Sequence, residues 1–181
     1  IFNIKEKSRV LNIVVFLVWL ASACVLAVIL PLQLVVYANK SNTEEHIMVN
    51  NPPKTLWIAP GKKVTSLTYD EQTTVDNFRF YRNALNDRLY CSADLDISSS
   101  DSTVMWISVD KISHANESRE AILNSRAIEY NWKFSGDTLY LDEYFSLPAG
   151  SNWNGARVDI DVSLPEGSVI KFVPGSDHTR W

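Results

Sequence analysis

Residues 157–172 read RVDIDVSLPEGSVIKF, and this stretch decides the fold of the larger part of the chain. Its first half alternates strictly between apolar and polar residues, which is typical of a strand with one buried face. The apolar positions are Val158, Ile160, Val162 and Leu164. A Pro-Glu-Gly turn at 165–167 follows, and residues 169–173 predict a second strand.

The same alternation marks segments on the N-terminal side of this stretch. Residues 130–134 and 139–141 alternate on either side of the turn 135–137 (Ser-Gly-Asp), which predicts a β-hairpin. Residues 89–97 also alternate and predict one half-buried strand. Residues 104–109 (VMWISV) are apolar on both faces and predict a central strand.

One short helix interrupts the strands. Between residues 116 and 128, Ala121, Ser125 and Ile128 recur at helical spacing, and Asn116 is a suitable N-terminal cap. The sequence therefore predicts a mainly β domain with one short helix. The spacing of the strands suits either a β-solenoid or a β-sandwich, and the pattern alone does not separate these two architectures.

Upstream of the β-rich part, residues 10–39 (VLNIVVFLVWLASACVLAVILPLQLVVYAN) carry no formal charge. About 20 apolar residues suffice to cross a hydrocarbon core roughly 30 Å thick. The run is also longer than the apolar region of a signal peptide, so it predicts a retained transmembrane helix whose first partner is the lipid bilayer. Pro31 is expected to bend or end this helix, and Tyr37 is expected near the far interface.

The charges that flank the apolar run predict its orientation. Lys5, Lys7 and Arg9 precede the run, whereas Lys40 is soon followed by two glutamates. Because positive charge is retained on the cytoplasmic side, we expect a cytoplasmic N-terminus and an extracytoplasmic C-terminal domain.

The chain is thus expected to have three parts. Residues 1–40 are the basic leader and transmembrane helix, residues 41–65 a juxtamembrane linker, and residues 66–181 a β-rich extracytoplasmic domain that is cut short at its C-terminus. Because the chain begins with Ile rather than Met, we expect it to be a fragment of a longer protein.

The part of the chain beyond the anchor is acidic. Residues 41–181 hold 13 of the 17 Lys and Arg and 20 of the 21 Asp and Glu, a net charge of −7. Phosphate backbones are bound by concentrated Lys and Arg, so nucleic acid is not an expected partner. Cys24 lies in the apolar run and Cys91 in the outer part, so they are not expected to pair, and Cys91 is expected to be a buried, inert thiol.

Two pairs of aspartates are the strongest candidates for chemistry. Asp94 and Asp96, and likewise Asp159 and Asp161, stand two apart on predicted strands, so each pair shares one face. Such a pair can act as acid and base or hold Ca²⁺. A glycosidase needs its carboxyls in a cleft, however, and calcium β-rolls need glycine-rich repeats, so a solvated strand face is the favoured interpretation.

The remaining candidates are weaker. His46, His114 and His178 are too scattered to predict a zinc site, the serines at 98–100 lack a nucleophile elbow, and glycine-rich phosphate loops are missing from the sequence. We therefore expect no catalytic, cofactor-binding or metal-binding residues and no enzyme activity. Trp153 is expected to be exposed, either covering one end of the β-structure or meeting a partner.

Four segments in order carry a resemblance to a known family. They are DLDISSSDSTVMWISV (94–109), SREAILNSRAIEYNW (118–132), SGDTLYLDEYFSLPAG (135–150) and RVDIDVSLPEGSVIKF (157–172). With the charge-flanked span before them, they resemble the C-terminal part of PspC-domain membrane proteins of the Bacteroidetes type, which consists of the last transmembrane helix and a toastrack-like outer domain.

This resemblance implies an envelope-stress or signalling protein whose outer domain acts in binding or sensing. It also implies that the membrane is the inner (cytoplasmic) membrane of a bacterium. The partners it implies are other envelope proteins or further copies of the chain. Two alternatives stay open at the level of sequence. One is a structural or adhesive display domain on a membrane anchor, and the other is an envelope enzyme, which requires a pocket with converging titratable groups.

Overall fold

The computed structural model describes residues 4–35, 37–61, 72–75, 78–83 and 86–173 of the 181-residue chain. The chain begins with helix α1 (Ile4–Val35). Within α1, the segment Leu11–Pro31 has a mean hydropathy of 3.0 and is entirely unburied, so it is long and apolar enough to span a membrane. Pro31, expected to bend or end this helix, does not end it, because the helix continues through it to Val35.

Twelve strands and a second helix are described after α1. The helix is α2 (Ser118–Ala127). The strands are β1 (Asn39–Val49), β2 (Thr55–Pro60), β3 (Gln72–Val75), β4 (Phe78–Asn83), β5 (Arg88–Ser92), β6 (Asp94–Ser100), β7 (Met105–Ala115), β8 (Trp132–Ser135), β9 (Thr138–Leu141), β10 (Tyr144–Ser146), β11 (Arg157–Pro165) and β12 (Val169–Phe172).

The strands form three four-stranded sheets around a shared core. Their strand orders are β1-β7-β11-β6, β10-β5-β4-β3 and β12-β2-β9-β8. One cluster of buried side chains draws residues from all three sheets, including Val162 from the first, Cys91 from the second and Leu139 from the third. The prediction of a mainly β domain is confirmed. Three sheets around one core are solenoid-like, whereas a sandwich has two.

Strand β11 shows how the alternating sequence produces this arrangement. Its four apolar residues are at most 3% exposed, because they point into the core, and the polar residues between them face outward. The strand pairs in antiparallel fashion with β7 and in parallel fashion with β6. Strand β7, predicted to be central, does lie between two neighbours, β1 and β11.

The predicted linker at 41–65 is wrong. Residues 39–49 form β1, which pairs with β7 along its whole length, from Asn39 opposite Ala115 to Val49 opposite Met105. The segment is polar because the residues of β1 that face the core side are satisfied by partners far along the chain. Thr43 and Ser125 share a hydrogen bond of 3.0 Å between their hydroxyls, and this contact spans 82 residues of sequence.

Two further boundaries differ from the predictions. The single strand predicted at 89–97 is two strands in different sheets, because the chain changes sheet at Ala93. The alternation of burial is interrupted there, since Ser92 is buried and Ala93 is half-buried. Helix α2 is preceded by Glu117 rather than by the predicted cap Asn116, and no side chain caps its first turn. The predicted hairpin is confirmed, with Gly136 and Asp137 as the turn between β8 and β9.

Candidate functional site

The two aspartate pairs come together on the outer face of the first sheet. Asp159 lies opposite Asp94, and Asp161 opposite Asp96, on the parallel strands β11 and β6, while Asp110 of β7 lies on the other side of Asp159. We call these five residues the acidic face. They occupy an open sheet surface that faces away from the core.

Electrostatics on the acidic face are unfavourable for ionised carboxyls. Partial burial raises the pKa of Asp159, and the nearby Asp94, Asp161 and Asp110 add to this rise, although Arg157 opposes it. Partial burial and three neighbouring aspartates likewise raise the pKa of Asp161. The guanidinium of Arg157 lies 3.0 Å from an Oδ of Asp159 and is the one cation paired with this face among the described residues.

The histidines predicted to be scattered are placed far apart. His46 lies on β1, where its ring is 5.9 Å from that of Trp106, and His114 lies near the end of β7. His178 lies outside the described residues. In the part of the chain that the structure describes, no three His, Cys, Asp or Glu side chains are grouped so as to hold a metal ion. Cys91 is buried, and burial raises the pKa of its thiol to about 12.

A cavity of about 320 Å³ lies beside the end of β7, on the side of the domain nearest to α1. It is formed by three segments: the end of β7, one face of α2, which follows β7 almost directly in sequence, and the loop that follows β10. We call it the junction pocket. Its lining residues are Ser113, His114, Ala115, Asn116, Glu120, Asn124, Ala127, Leu147, Pro148, Ser151, Asn152 and Asn154.

Helix α2 contributes to the junction pocket through its periodicity. Glu120, Asn124 and Ala127 are spaced four and three residues apart, so they share one face of the helix, and that face lines the pocket. Ala121 and Ser125 lie on the adjacent face and are fully buried. One side of α2 therefore anchors the helix, and its neighbour presents polar side chains to the cavity.

Part of the pocket wall is held firmly by hydrogen bonds. The amide of Asn154 donates to the carbonyl oxygen of His114 at 2.8 Å and accepts from the hydroxyl of Ser113 at 3.1 Å. Asn154 therefore ties the loop after β10 to β7. Next to it, the indole N–H of Trp153 donates to the carbonyl oxygen of Ala156 at 2.8 Å.

Trp153 is 44% exposed, which confirms the prediction that its side chain reaches solvent. Its ring meets that of Phe80 edge-on, with 5.3 Å between the ring centroids. Phe80 in turn packs against the core cluster. Trp153 therefore covers the core on this side while leaving nearly half of its own surface in solvent.

Other polar groups of the junction pocket have no partner among the described residues. The side chains of Asn116, Glu120, Asn124 and Asn152 form no hydrogen bond or ion pair within the described ranges. The Nδ1 atom of His114 is buried there without a hydrogen-bond partner. Asn124 is half-buried, and the side chains of Asn116, Glu120 and Asn152 are exposed, so all four are open to a ligand that enters the pocket from solvent.

The pocket directly adjoins the end of the membrane helix. The ring of Tyr37, two residues after α1 ends, lies 5.9 Å from the ring of His114. The side-chain amide of Asn39 donates to the carbonyl oxygen of Asn116 at 2.6 Å and accepts from the hydroxyl of Ser118 at 2.9 Å. We call these contacts the junction.

Neither the junction pocket nor the junction could be predicted from the sequence. Tyr37 was assigned to the membrane interface, and Asn116 to a helix cap. The only local signal is the recurrence of asparagine beside small residues, in His114-Ala115-Asn116 and in residues 151–155 (Ser-Asn-Trp-Asn-Gly). Such residues are equally frequent in ordinary turns, so this signal does not identify a site.

Comparisons with known proteins bear on this region. A family model described as a ToastRack found in some PspC matches residues 83–177, which is more than half of the chain and includes every residue that lines the junction pocket. No curated protein matches the chain.

One matching solved structure is of a protein from Parabacteroides merdae ATCC 43184 that is described as a candidate adhesin. It shares 9% sequence identity with this chain at a TM-score of 0.29. The match covers 74% of this chain and 34% of that one, so this chain spans about a third of the protein it matches. A likeness this distant carries no argument about function.

Proposed function

The chain belongs to the toast-rack domains found in some PspC proteins, and from this premise we propose that it is the sensing part of an envelope-stress protein. In this proposal the β-rich domain binds an envelope component on the extracytoplasmic side. The resulting change passes through α1 to the cytoplasmic part of the longer protein. The domain acts by binding and not by turnover.

The junction is the observation that carries this proposal. A domain that is only displayed on an anchor needs no fixed contact with it. Here Tyr37 contacts His114, and Asn39 is held by both Asn116 and Ser118. Residues directly after α1 therefore contact two of the residues that line the pocket, His114 and Asn116. A change in the position of α2 or of the end of β7 therefore displaces the residues that lead into the membrane helix.

The proposed orientation places α1 with its basic end in the cytoplasm of a cell whose inner membrane it crosses. The support is the excess of Lys and Arg before the apolar run. The orientation can be tested by labelling introduced cysteines. The two native cysteines should not react with a water-soluble maleimide, because Cys91 is buried and Cys24 lies in the apolar segment.

An Asn51→Cys variant, at the exposed turn between β1 and β2, should react in intact spheroplasts with a membrane-impermeant maleimide. A Ser8→Cys variant should react only after the membrane is permeabilised. The reverse pattern would show that the domain faces the cytoplasm.

The sensing role is tested by a stress-response reporter in cells that carry the longer protein. Replacing Tyr37 by alanine should make the reporter signal independent of stress, because the substitution removes the ring that joins the anchor to His114. Tyr140→Ala is the matched control, since Tyr140 is similarly exposed (40% against 45%) but lies on β9, away from the junction.

Both variants must reach the membrane at wild-type abundance for this comparison. A Tyr37→Ala variant that responds like the wild type would remove the coupling role of the junction. Deletion of residues 50–181 that leaves the response unchanged would remove the sensing role altogether and would favour a display domain.

A further inference from the structure

We propose that the junction pocket binds a neutral saccharide. This inference rests on the proposed sensing function and names the class of ligand that the outer domain takes. It is argued from the charge, the hydrogen-bonding groups and the size of the pocket.

Charge excludes the other common classes of small polar ligand. The described lining contains no Lys or Arg, and its one carboxylate is that of Glu120. A phosphate or a carboxylate ligand would meet no cation in this lining and would be repelled by Glu120, in a domain whose net charge is already −7. Arg82 and Arg88, which donate to the carbonyl oxygens of Ser151 and Leu147, are already paired with Asp87 and Glu129. A single carboxylate is also too little to select a cationic ligand, because ion pairs that face solvent contribute little.

The free hydrogen-bonding groups match hydroxyl groups. A side-chain amide presents both donors and an acceptor, and a sugar hydroxyl also donates and accepts. Three amides without described partners, those of Asn116, Asn124 and Asn152, line the pocket from three different elements. With the carboxylate of Glu120, they can pair with neighbouring hydroxyls around one ring.

The apolar part of the lining completes this match. A sugar ring has C–H faces that pack against apolar side chains, and Leu147, Pro148 and Ala127 line the pocket together with the polar groups. The volume of about 320 Å³ lies at the lower end of the range of roughly 300–1,000 Å³ seen in small-molecule sites. This size suits one sugar ring with a substituent, with the rest of a chain extending into solvent.

A ligand in this position would also reach the elements that the junction connects. It would bridge Asn124 of α2 and Asn152 of the loop, and Asn154 already ties that loop to β7. It would also contact Asn116, whose carbonyl holds Asn39. Binding would therefore fix α2 relative to β7 at the point where the chain leaves the membrane.

The test uses the full 181-residue chain in phosphatidylcholine nanodiscs, because detergents with maltoside or glucoside headgroups would compete for the pocket. The probes are N,N′-diacetylchitobiose and cellobiose as neutral saccharides and inorganic phosphate as the anionic comparison. Binding is measured by saturation-transfer difference NMR and by isothermal titration calorimetry.

At least one of the saccharides should bind, and phosphate should not. Replacing Asn124 by leucine or Asn152 by alanine should weaken binding about tenfold, since each removes a hydrogen bond to a desolvated ligand group. Asn51→Ala, at an exposed asparagine outside the pocket, should leave affinity unchanged. Asn152 lies in a loop and not on α2, so its variant still tests the pocket if the Asn124 variant disturbs the helix.

Three results would overturn the proposal: no saccharide binds, phosphate binds in preference, or both pocket variants bind like the Asn51 control. The outcome is separable from that of the sensing role. If no saccharide binds but Tyr37→Ala still abolishes the stress response, the ligand class is wrong and the sensing role stands. If a saccharide binds at the pocket but Tyr37→Ala responds normally, the ligand class stands and the coupling fails.

Discussion

Replacing Gly155 by alanine should loosen the contact between the membrane anchor and the outer domain. Gly155 has a φ of +75°, in the left-handed region, and lies against the junction. A Cβ added there would sit 2.9 Å from Nδ1 of His114 and 3.1 Å from Cε1 of Tyr37. The substitution therefore combines a backbone penalty with crowding of the two rings that join α1 to the domain.

A matched control separates these two contributions. Gly167 has a φ of +80°, but a Cβ added there would meet nothing within 4 Å. Gly167→Ala should destabilise the domain by about 1–2 kcal/mol, the cost of placing an L-residue in the left-handed region. Gly155→Ala should lower the free energy of unfolding by a further 1–3 kcal/mol or so, because the rings of Tyr37 and His114 must move.

Urea unfolding of the full chain in nanodiscs, followed by tryptophan fluorescence, measures both variants against the wild type. Adding Tyr37→Ala to each variant should reduce the difference between them, because one of the two crowded rings is then gone. Equal destabilisation by Gly155→Ala and Gly167→Ala would refute the packing of Tyr37 against the domain, and with it the structural basis of the junction.

Three smaller perturbations test other parts of the structure. Glu45→Gln should destabilise the domain by about 1 kcal/mol at pH 7. Burial raises the pKa of Glu45, but hydrogen bonds from Lys111 and Trp132 outweigh burial, and the net effect lowers this pKa. In urea titrations the difference in stability between variant and wild type should therefore vanish as the pH falls through the pKa of Glu45. Asp161→Asn should stabilise the domain by about 0.2–1 kcal/mol at neutral pH and low salt. Because the pKa of Asp161 is raised, the wild type loses stability as the pH rises, and the extra stability of the variant should disappear in acid. A variant that is less stable than the wild type at neutral pH would contradict the repulsion between Asp161 and its neighbouring aspartates. Cys91 should resist iodoacetamide at pH 8 until urea unfolds the domain, as mass spectrometry can show, since burial raises its pKa to about 12.

Strand β11 could be predicted from the sequence because its burial is regular. Every second side chain points into the core, so the apolar residues recur in the sequence with a period of two. The hairpin of β8 and β9 was predictable for a related reason, since a glycine with a φ of +66° forms its turn.

Strand β1 could not be predicted, because its pairing depends on contacts that local sequence does not contain. Glu45 lies on the same face of β1 as the half-buried Thr43 and Ile47, although its own side chain is 44% exposed. Here the carboxylate is paired with the ammonium of Lys111 and accepts a hydrogen bond of 3.0 Å from the indole of Trp132. These partners lie 66 and 87 residues away in sequence. A polar segment whose partners are this distant is indistinguishable from a linker until the fold is known.

The junction pocket was missed for the same reason as β1. Its lining comes from residues 113–116, from one face of α2 and from residues 147–154. None of these segments contains a motif, and each of their asparagines has an ordinary explanation as a turn or cap residue. The first two segments are neighbours in sequence, but the site exists only because tertiary structure brings residues 147–154 against them.

The acidic face and the junction pocket place different constraints on what the outer domain can meet. Aspartates opposite one another on β6, β11 and β7 disfavour the stacking of this face against the same face of a second copy, because like charges directly opposite one another repel. The junction pocket carries a single carboxylate and lies at the C-terminal end of β7, beside the first residues after α1. The family match begins at residue 83, so the pocket lies within the matched part, whereas Tyr37 and β1 precede it. In the proposed mechanism the coupling depends on a segment outside the matched domain, so exchanging residues 37 and 38 for a Gly-Ser pair should reduce signalling while β1 stays paired with β7 and ligand binding is retained.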